Sequence, residues 1–317
     1  MCLLYIKEFC HKAGSFFFVV LRSFKQFEFL IIMKVVIQGY RGSFHDAAAN
    51  IYWSSEHIEL IAADSFDLLG AMLSKGEAEV AVMAIENSIA GTILQNYRVL
   101  RENGFWVSGE LYLRVRHQLL GVNGGKIGDV RQVVSHPMAI NQCRKFLGDF
   151  PHWKLVESED TALSAQKVSK LNKKSTACIA SERAAQLYNL QILHPNIETH
   201  NTNYTRFFIV HKHRTQVATD ANKASVSIRI PDKKGQLLKV LQVINDHNLN
   251  MSKLQSYPVL GSLREYFFHL DIEFDHISQY FGLKENLLDL TFEYTELGIY
   301  KRADLSSIIH QHTSIDT

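Results

Sequence analysis

The chain has little cysteine: four residues in 317, Cys2, Cys10, Cys143 and Cys178. None forms a CxxC pair or joins histidines at zinc-ligand spacing, which argues against a structural metal and fits a reducing, cytoplasmic compartment. A dominant charge is missing too. The 34 Lys and Arg stand against 32 Asp and Glu, leaving +2 and no dense basic stripe of the kind a phosphate backbone demands, so nucleic acid is a poor candidate partner. No apolar run reaches the roughly 18 residues a membrane-spanning helix needs. What is present is an ordinary globular balance, 46% hydrophobic and 21% charged, in a chain long enough for two domains.

The first 32 residues read apart from the rest. Phe16 to Leu21 is a short apolar run followed by Arg22, Lys25 and Glu28, then Phe29 to Ile32. The mixed charge ahead of it and the absence of a small-residue cleavage site argue against a signal peptide. Met33-Lys34 then opens a clean strand, so residues 1 to 32 are expected to be an upstream extension, with Met33 as the initiator. The mass of the native N-terminus tests this.

From Met33 to about His213, short β-branched runs alternate with stretches of helical period, which predicts an α/β domain. Strands are expected at 35–38, 59–62, 80–85, 107–113, 117–122, 131–134, 177–180 and 206–210. Helices are expected at 44–52, 65–75, 138–147, 161–171 and 182–190. The stretch 214–223 is polar and without period, and reads as a linker. Beyond it, from 224 to 302, the pattern predicts βαββαβ, the ferredoxin-like split unit, followed by a tail over 303–317. Its edge strands are expected to pair with a second copy, giving a homodimer or homotetramer.

Three loops that follow a strand and open a helix are dense in small and polar residues, the positions where α/β sheets bind anionic ligands. In Gly39-Tyr40-Arg41-Gly42-Ser43-Phe44 the glycines serve either a tight turn or close approach of the backbone to a ligand, with Ser43 as a donor. Glu86-Asn87-Ser88-Ile89-Ala90-Gly91 brings a carboxylate, an amide and a hydroxyl to the end of a buried strand. It reads as a polar pocket wall or as a capped turn. Ser135-His136-Pro137 opens a helix carrying Gln142 and Cys143. There the Ser135 hydroxyl lies in a crevice or caps the helix, while His136 and Cys143 read as structural. Last, Asn203-Tyr204-Thr205-Arg206-Phe207 enters a buried strand with a hydroxyl beside a guanidinium, the preferred partner of a carboxylate.

In this order and spacing, GYRGSF, IENSIAG, SHPMAINQC and NYTRF resemble the signature of prephenate dehydratase, and the trailing βαββαβ unit resembles its ACT regulatory domain. The resemblance implies a two-lobed catalytic part (33–213), similar to type 2 periplasmic binding proteins, with the site in the cleft. One lobe would comprise Met33 to Phe105 plus the return near Thr205. The implied reaction turns prephenate into phenylpyruvate with loss of carbon dioxide and the ring hydroxyl, without metal or cofactor. Thr205 would aid departure of the hydroxyl. Ser43, Asn87, Ser88, Ser135, Gln142 and Phe207 would contact substrate, Arg206 would pair with a carboxylate, and Glu86 would join the site with its role open. Gly235, Gln236, Leu237, Asn250, Ser256 and Pro258 would form a phenylalanine site. Tyr40, Ser43 and Ala84 depart from the family's Pro, Thr and Pro, and Gln236, Gln255 and Tyr257 from its Ala, Glu and Arg. The competing readings are an arogenate dehydratase, a non-catalytic small-molecule sensor, and a C-terminal domain that only dimerises.

Overall fold

The computed structural model describes residues 32–259, 261–262 and 265–306. Most of the expected extension over 1–32 and most of the expected tail over 303–317 lie outside the described residues.

The chain first lays down β1 (Met33–Gln38), α1 (Phe44–Tyr52), β2 (Ile58–Ala63), α2 (Phe66–Lys75), β3 (Val80–Asn87), the two-residue β4 (Gly91–Thr92), α3 (Leu94–Glu102) and β5 (Trp106–Arg114). Local chemistry explains the helix starts. Ser43 and Ser65 accept the N–H of Asp46 and Leu68, capping α1 and α2. The chain then builds β6 (Gln118–Gly121), β7 (Gln132–Ser135), α4 (Pro137–Gln142), α5 (Arg144–Gly148), β8 (Lys154–Glu157), α6 (Thr161–Leu171), β9 (Thr176–Ala180), α7 (Glu182–Leu187) and β10 (Gln191–His194), and returns as β11 (Tyr204–His211).

These elements make the two expected lobes. The first has the strand order β5-β11-β3-β1-β2 and the second β10-β6-β9-β7-β8. The chain crosses between them twice, and the crossings touch where the Val115 N–H donates to the Asn203 carbonyl at 2.8 Å. The first lobe does not end at Phe105 as expected. It keeps all of β5, which pairs with β11 from Arg114 to Trp106. The single helix expected over 138–147 is two, α4 and α5, broken at Cys143.

The third part follows the expected order: β12 (Lys223–Arg229), α8 (Gln236–Asp246), β13 (Asn250–Pro258), β14 (Tyr266–Glu273), α9 (Ile277–Leu288) and β15 (Glu293–Tyr300). Its sheet, β13-β14-β12-β15, has α8 and α9 on one face, where Val240, Ile244, Leu283 and Leu287 pack with Val226, Ile228, Leu270 and Ile272. The sheet does not stop at β15. It runs on into the first lobe through a parallel pair with β5, at Gly298 opposite Val107, making one ten-stranded sheet. A Cβ at position 298 would overlap the Val107 carbonyl, so only glycine fits this join. The cores interleave as well, with Leu297 and Tyr300 inside the first lobe's core and Trp106 inside the C-terminal one. The described residues from Met33 onward consequently form one compact unit.

Candidate active site

The cleft between the lobes holds a cavity of about 470 Å³ whose wall includes Ser43, Asn87, Gln142, Thr205 and Phe207. These five come from four elements and from all four sequence motifs. Thr205 and Asn87 lie directly opposite each other on β11 and β3, which brings a hydroxyl and an amide from distant parts of the chain to one point.

The direction of the hydrogen bonds follows from groups that have no choice. Asn87 Oδ1 accepts from the backbone N–H of Ile89 (3.0 Å) and Ala90 (2.8 Å), so its Nδ2 must face the cleft floor. There it donates to Thr205 Oγ1 at 2.9 Å and Asn203 Oδ1 at 2.7 Å. Asn203 then turns Nδ2 toward Gln142 Oε1 (3.1 Å). Since that oxygen accepts, His117 Nε2, 2.8 Å from it, carries the proton and Nδ1 is bare. Two donors are left over. Among the described residues no group accepts the Thr205 hydroxyl hydrogen, and none accepts from Gln142 Nε2. The chain of amides therefore presents donors to whatever enters the cleft.

The rest of the wall is mostly apolar, with the imidazoles of His45, His117 and His136 and the carboxyl groups of Glu159 and Asp160 among it. His45 stands edge-on to Phe207 (ring centroids 5.0 Å apart) and accepts the Ala84 N–H at 3.3 Å, and burial lowers its pKa to about 4. Burial likewise lowers the pKa of His117, with the bonds to Gln142 and the charge of Glu198 opposing. Asp160 caps α6 through the Leu163 N–H (2.9 Å), and burial raises its carboxyl above the ordinary value. Among the described lining residues there is no Lys or Arg. The N-termini of α1 and α6 open onto the cavity at Ser43 and Thr161, each already carrying an acidic residue, Asp46 and Asp160.

Several expected residues are elsewhere. Arg206 is not a substrate partner in this arrangement: it points away from the cleft, is 2% exposed, and is held by Glu110 (2.6 Å) and Asp271 (2.5 Å). Adjacent residues on a strand face opposite sides, so Thr205 and Arg206 cannot both line one cavity. Glu86 is on that same far side, 2.9 Å from Lys253. The Ser88 hydroxyl donates to the Thr202 carbonyl and accepts the Tyr204 N–H, clamping β3 to β11 outside the cleft. Ser135 is fully buried behind the wall and donates to the Ile179 carbonyl at 2.7 Å.

The glycines of the first motif serve the meeting of the lobes rather than a ligand. Gly42 has φ +90°, and a Cβ there would press on Ala184 of α7 at 3.1 Å. Around it, Ser181 Oγ donates to the Gly42 carbonyl (2.6 Å), Tyr188 to the Arg41 carbonyl (2.7 Å), and Arg183 pairs with Asp46 (3.2 Å). His136 caps α4 by accepting the Met138 N–H, and Cys143 is a buried core residue. The sequence reading missed His45, His117 and Asp160. Only His45, two residues after Ser43 in the first motif, carried a local signal.

The expected regulatory residues divide. Gly235 (φ +80°) starts α8, Gln236 Nε2 donates to the Leu290 carbonyl, and Leu237 packs on the C-terminal core. These lie toward the same end of the sheet as Ser256 and Pro258, since β13 pairs Pro258 with Tyr266 while β12 ends at Arg229 opposite Phe267. Asn250 is at the other end of β13, bonded to Glu273, about 20 Å away at ~3.3 Å per residue.

The model of the prephenate dehydratase family matches residues 35–215. The bifunctional chorismate mutase/prephenate dehydratase of Escherichia coli K12 is 30% identical over 84% of this chain and 70% of its own length, and that of Enterobacter agglomerans is 33% identical over 76% and 63%. The chain thus spans about two thirds of the length of these relatives. An arogenate/prephenate dehydratase of Arabidopsis thaliana is 32% identical over 76% of this chain and 65% of its own. Among solved structures, GqqA, described as a novel type of quorum-quenching acylase, superposes with a TM-score of 0.76 at 29% identity over 85% of this chain and 98% of its own. A prephenate dehydratase from Arthrobacter aurescens in complex with L-Phe gives 0.75 at 23% identity over 85% and 90%, a likeness of fold. The cleft of neutral donors around Thr205 and Asn87 thus sits in a chain that belongs to the prephenate dehydratase family.

Proposed function

We propose that the protein converts prephenate to phenylpyruvate, carbon dioxide and water, and that the observation carrying this reading is the uncommitted hydroxyl hydrogen of Thr205. Asn87 occupies an acceptor position of the Thr205 oxygen, so the hydrogen is directed toward the ligand and not into the protein. It bonds to the departing ring hydroxyl and stabilises it as it leaves as hydroxide, which takes its proton from solvent to become water, since a Thr hydroxyl is too weak an acid to give its own up fully. Electrons from the breaking bond to the ring carboxylate complete the aromatic ring as carbon dioxide leaves. Gln142 Nε2 donates to the carboxylate that remains.

The lack of Lys and Arg on the described wall supports the same reaction. A carboxylate paired with a cation resists becoming neutral carbon dioxide, whereas one held by dipoles and amides in a largely apolar cavity gives up less on leaving.

The C-terminal part reads best as an ACT domain that binds phenylalanine, the ligand of the Arthrobacter aurescens protein, and that pairs with a second copy. Its edge strand β13 has a free side and an exposed row at Leu254, Ser256 and Pro258, which supports pairing there. No helix among the described residues is long and apolar enough to cross a membrane, and the cytoplasmic placement belongs to this proposal.

The test is turnover by purified protein without added metal or cofactor. Prephenate and arogenate are compared, with and without phenylalanine, for the wild type and Thr205→Ala. The expected outcome is phenylpyruvate formation, inhibition by phenylalanine, and a fall of about 10²-fold or more in kcat for Thr205→Ala with little change in KM. A strong preference for arogenate replaces the substrate, and wild-type kcat in Thr205→Ala removes the threonine from the mechanism.

A further inference from the structure

Two consecutive rungs of the β11–β3 ladder do different things. Thr205 opposite Asn87 faces the cleft. The next rung, Arg206 opposite Glu86, faces the C-terminal domain, and the register slips immediately beyond it, between Arg206 and Phe207. Both side chains of this second rung end on residues of the C-terminal sheet. Arg206 meets Asp271 of β14 at 2.5 Å, and Glu86 meets Lys253 of β13 at 2.9 Å. Neighbouring contacts tighten the same seam: Lys253 also donates to Thr92 at 3.1 Å, and Thr92 to Gln255 at 3.2 Å.

We propose that Lys253 and Asp271 are positioning residues for the dehydration: they touch no part of the cleft but, through Glu86 and Arg206, set the orientation of the Asn87–Thr205 pair. A backbone rung is stiff, so turning Glu86 or Arg206 turns the residue next to it. The slip in register removes the regular pairing that would otherwise fix the rung from one side. The side-chain anchors supply that constraint. Lys253 is the more informative of the two. Removing Asp271 leaves the buried Arg206 short of a partner and threatens the fold, whereas Glu86 is 38% exposed, so water can solvate it when Lys253 is gone.

This inference rests on the dehydratase reading, and wild-type turnover of prephenate is the control that separates the two. No wild-type turnover overturns the functional reading. Given wild-type turnover, the full chain is compared with Lys253→Met, Lys253→Arg, Glu86→Gln and the double variant Glu86→Gln/Lys253→Met, each checked for an unchanged melting transition. The expected result is a kcat about tenfold lower in Lys253→Met with KM within about twofold, recovery in Lys253→Arg, and a double variant no slower than Glu86→Gln alone. Wild-type kcat in Lys253→Met overturns the proposal. So do no recovery in Lys253→Arg, and effects of Glu86→Gln and Lys253→Met that multiply in the double variant.

Discussion

At the scale of single residues, the site depends on which way one amide points. Asn87 is fixed by two backbone N–H groups on its oxygen, so its nitrogen can only donate toward Thr205. Asn87→Asp keeps the two backbone bonds but turns the donor into an acceptor. Thr205 then donates to the carboxylate instead of to the ligand, beside a new negative charge. The expected outcome is a loss of about 10²-fold or more in kcat with a folded protein, read by steady-state kinetics and near-UV circular dichroism. Two buried histidines give the protein a pH dependence of its own. Burial lowers His45 to about 4 and His269 to about 3, and His269 lies flat between Tyr97 and Tyr257 with no hydrogen-bond partner for either ring nitrogen. In the unfolded chain both protonate near 6.5, so the folded state holds fewer protons below that pH. Their contribution is complete above about pH 6.5 and is lost as the pH falls toward 4 for His45 and toward 3 for His269. The urea midpoint is expected to drop over that interval, and His269→Gln to drop less steeply. Thr205, Asn87 and Gln142 were named through the family resemblance of their motifs, and the three line one cavity. Arg206 was misread because its chemistry was weighed without the parity of the strand it sits on.

At the scale of elements, the reading succeeded where buried apolar residues are dense and failed where they are sparse or set among polar ones. α1, α2 and α6 were expected over nearly the residues they occupy, and each begins at a Ser or Asp cap. α3 was not expected at all. It starts at Leu94, after Ile93, without a side-chain cap, and its buried stripe of Asn96, Tyr97, Val99 and Leu100 carries a polar residue in a helix otherwise rich in Gln, Arg and Glu, a background that hides the stripe. Tyr97 serves both the first lobe's core and His269 of the C-terminal sheet. Arg101 shows the same double duty: it lies 3.6 Å above the Phe267 ring and donates to the Tyr257 hydroxyl. Tyr257 thus has a partner in the catalytic part, where the family carries Arg at its position. β8 and β10 were missed because they are short edge strands with exposed residues, and such strands lack the β-branched density of the buried β9.

At the scale of the whole molecule, a catalytic part and a regulatory part joined by a linker were expected, and the element order agrees. What the pattern could not show is that the two share a sheet and exchange core residues, because a pairing between Val107 and Gly298 leaves no periodic trace. Burial of Arg206, Glu110, Asp271 and Lys223 across the seam adds to this. Burial pushes the Asp271 carboxyl up, yet Arg206 and Lys223 outweigh it and hold the group below the ordinary range. A protein built this way is expected to unfold as one cooperative unit, with a single calorimetric transition and coincident loss of signal from Trp106 and Trp153 fluorescence. Two separated transitions would show that the parts are independent.

The join at Gly298 also sets an order of events during synthesis. The outer edge of β5 waits for β15, roughly 190 residues later in the chain, a delay of about 10–40 s at typical elongation rates. Throughout that interval the nascent first lobe carries an unpaired strand edge bearing Trp106, the kind of surface that chaperones cover and neighbouring chains capture.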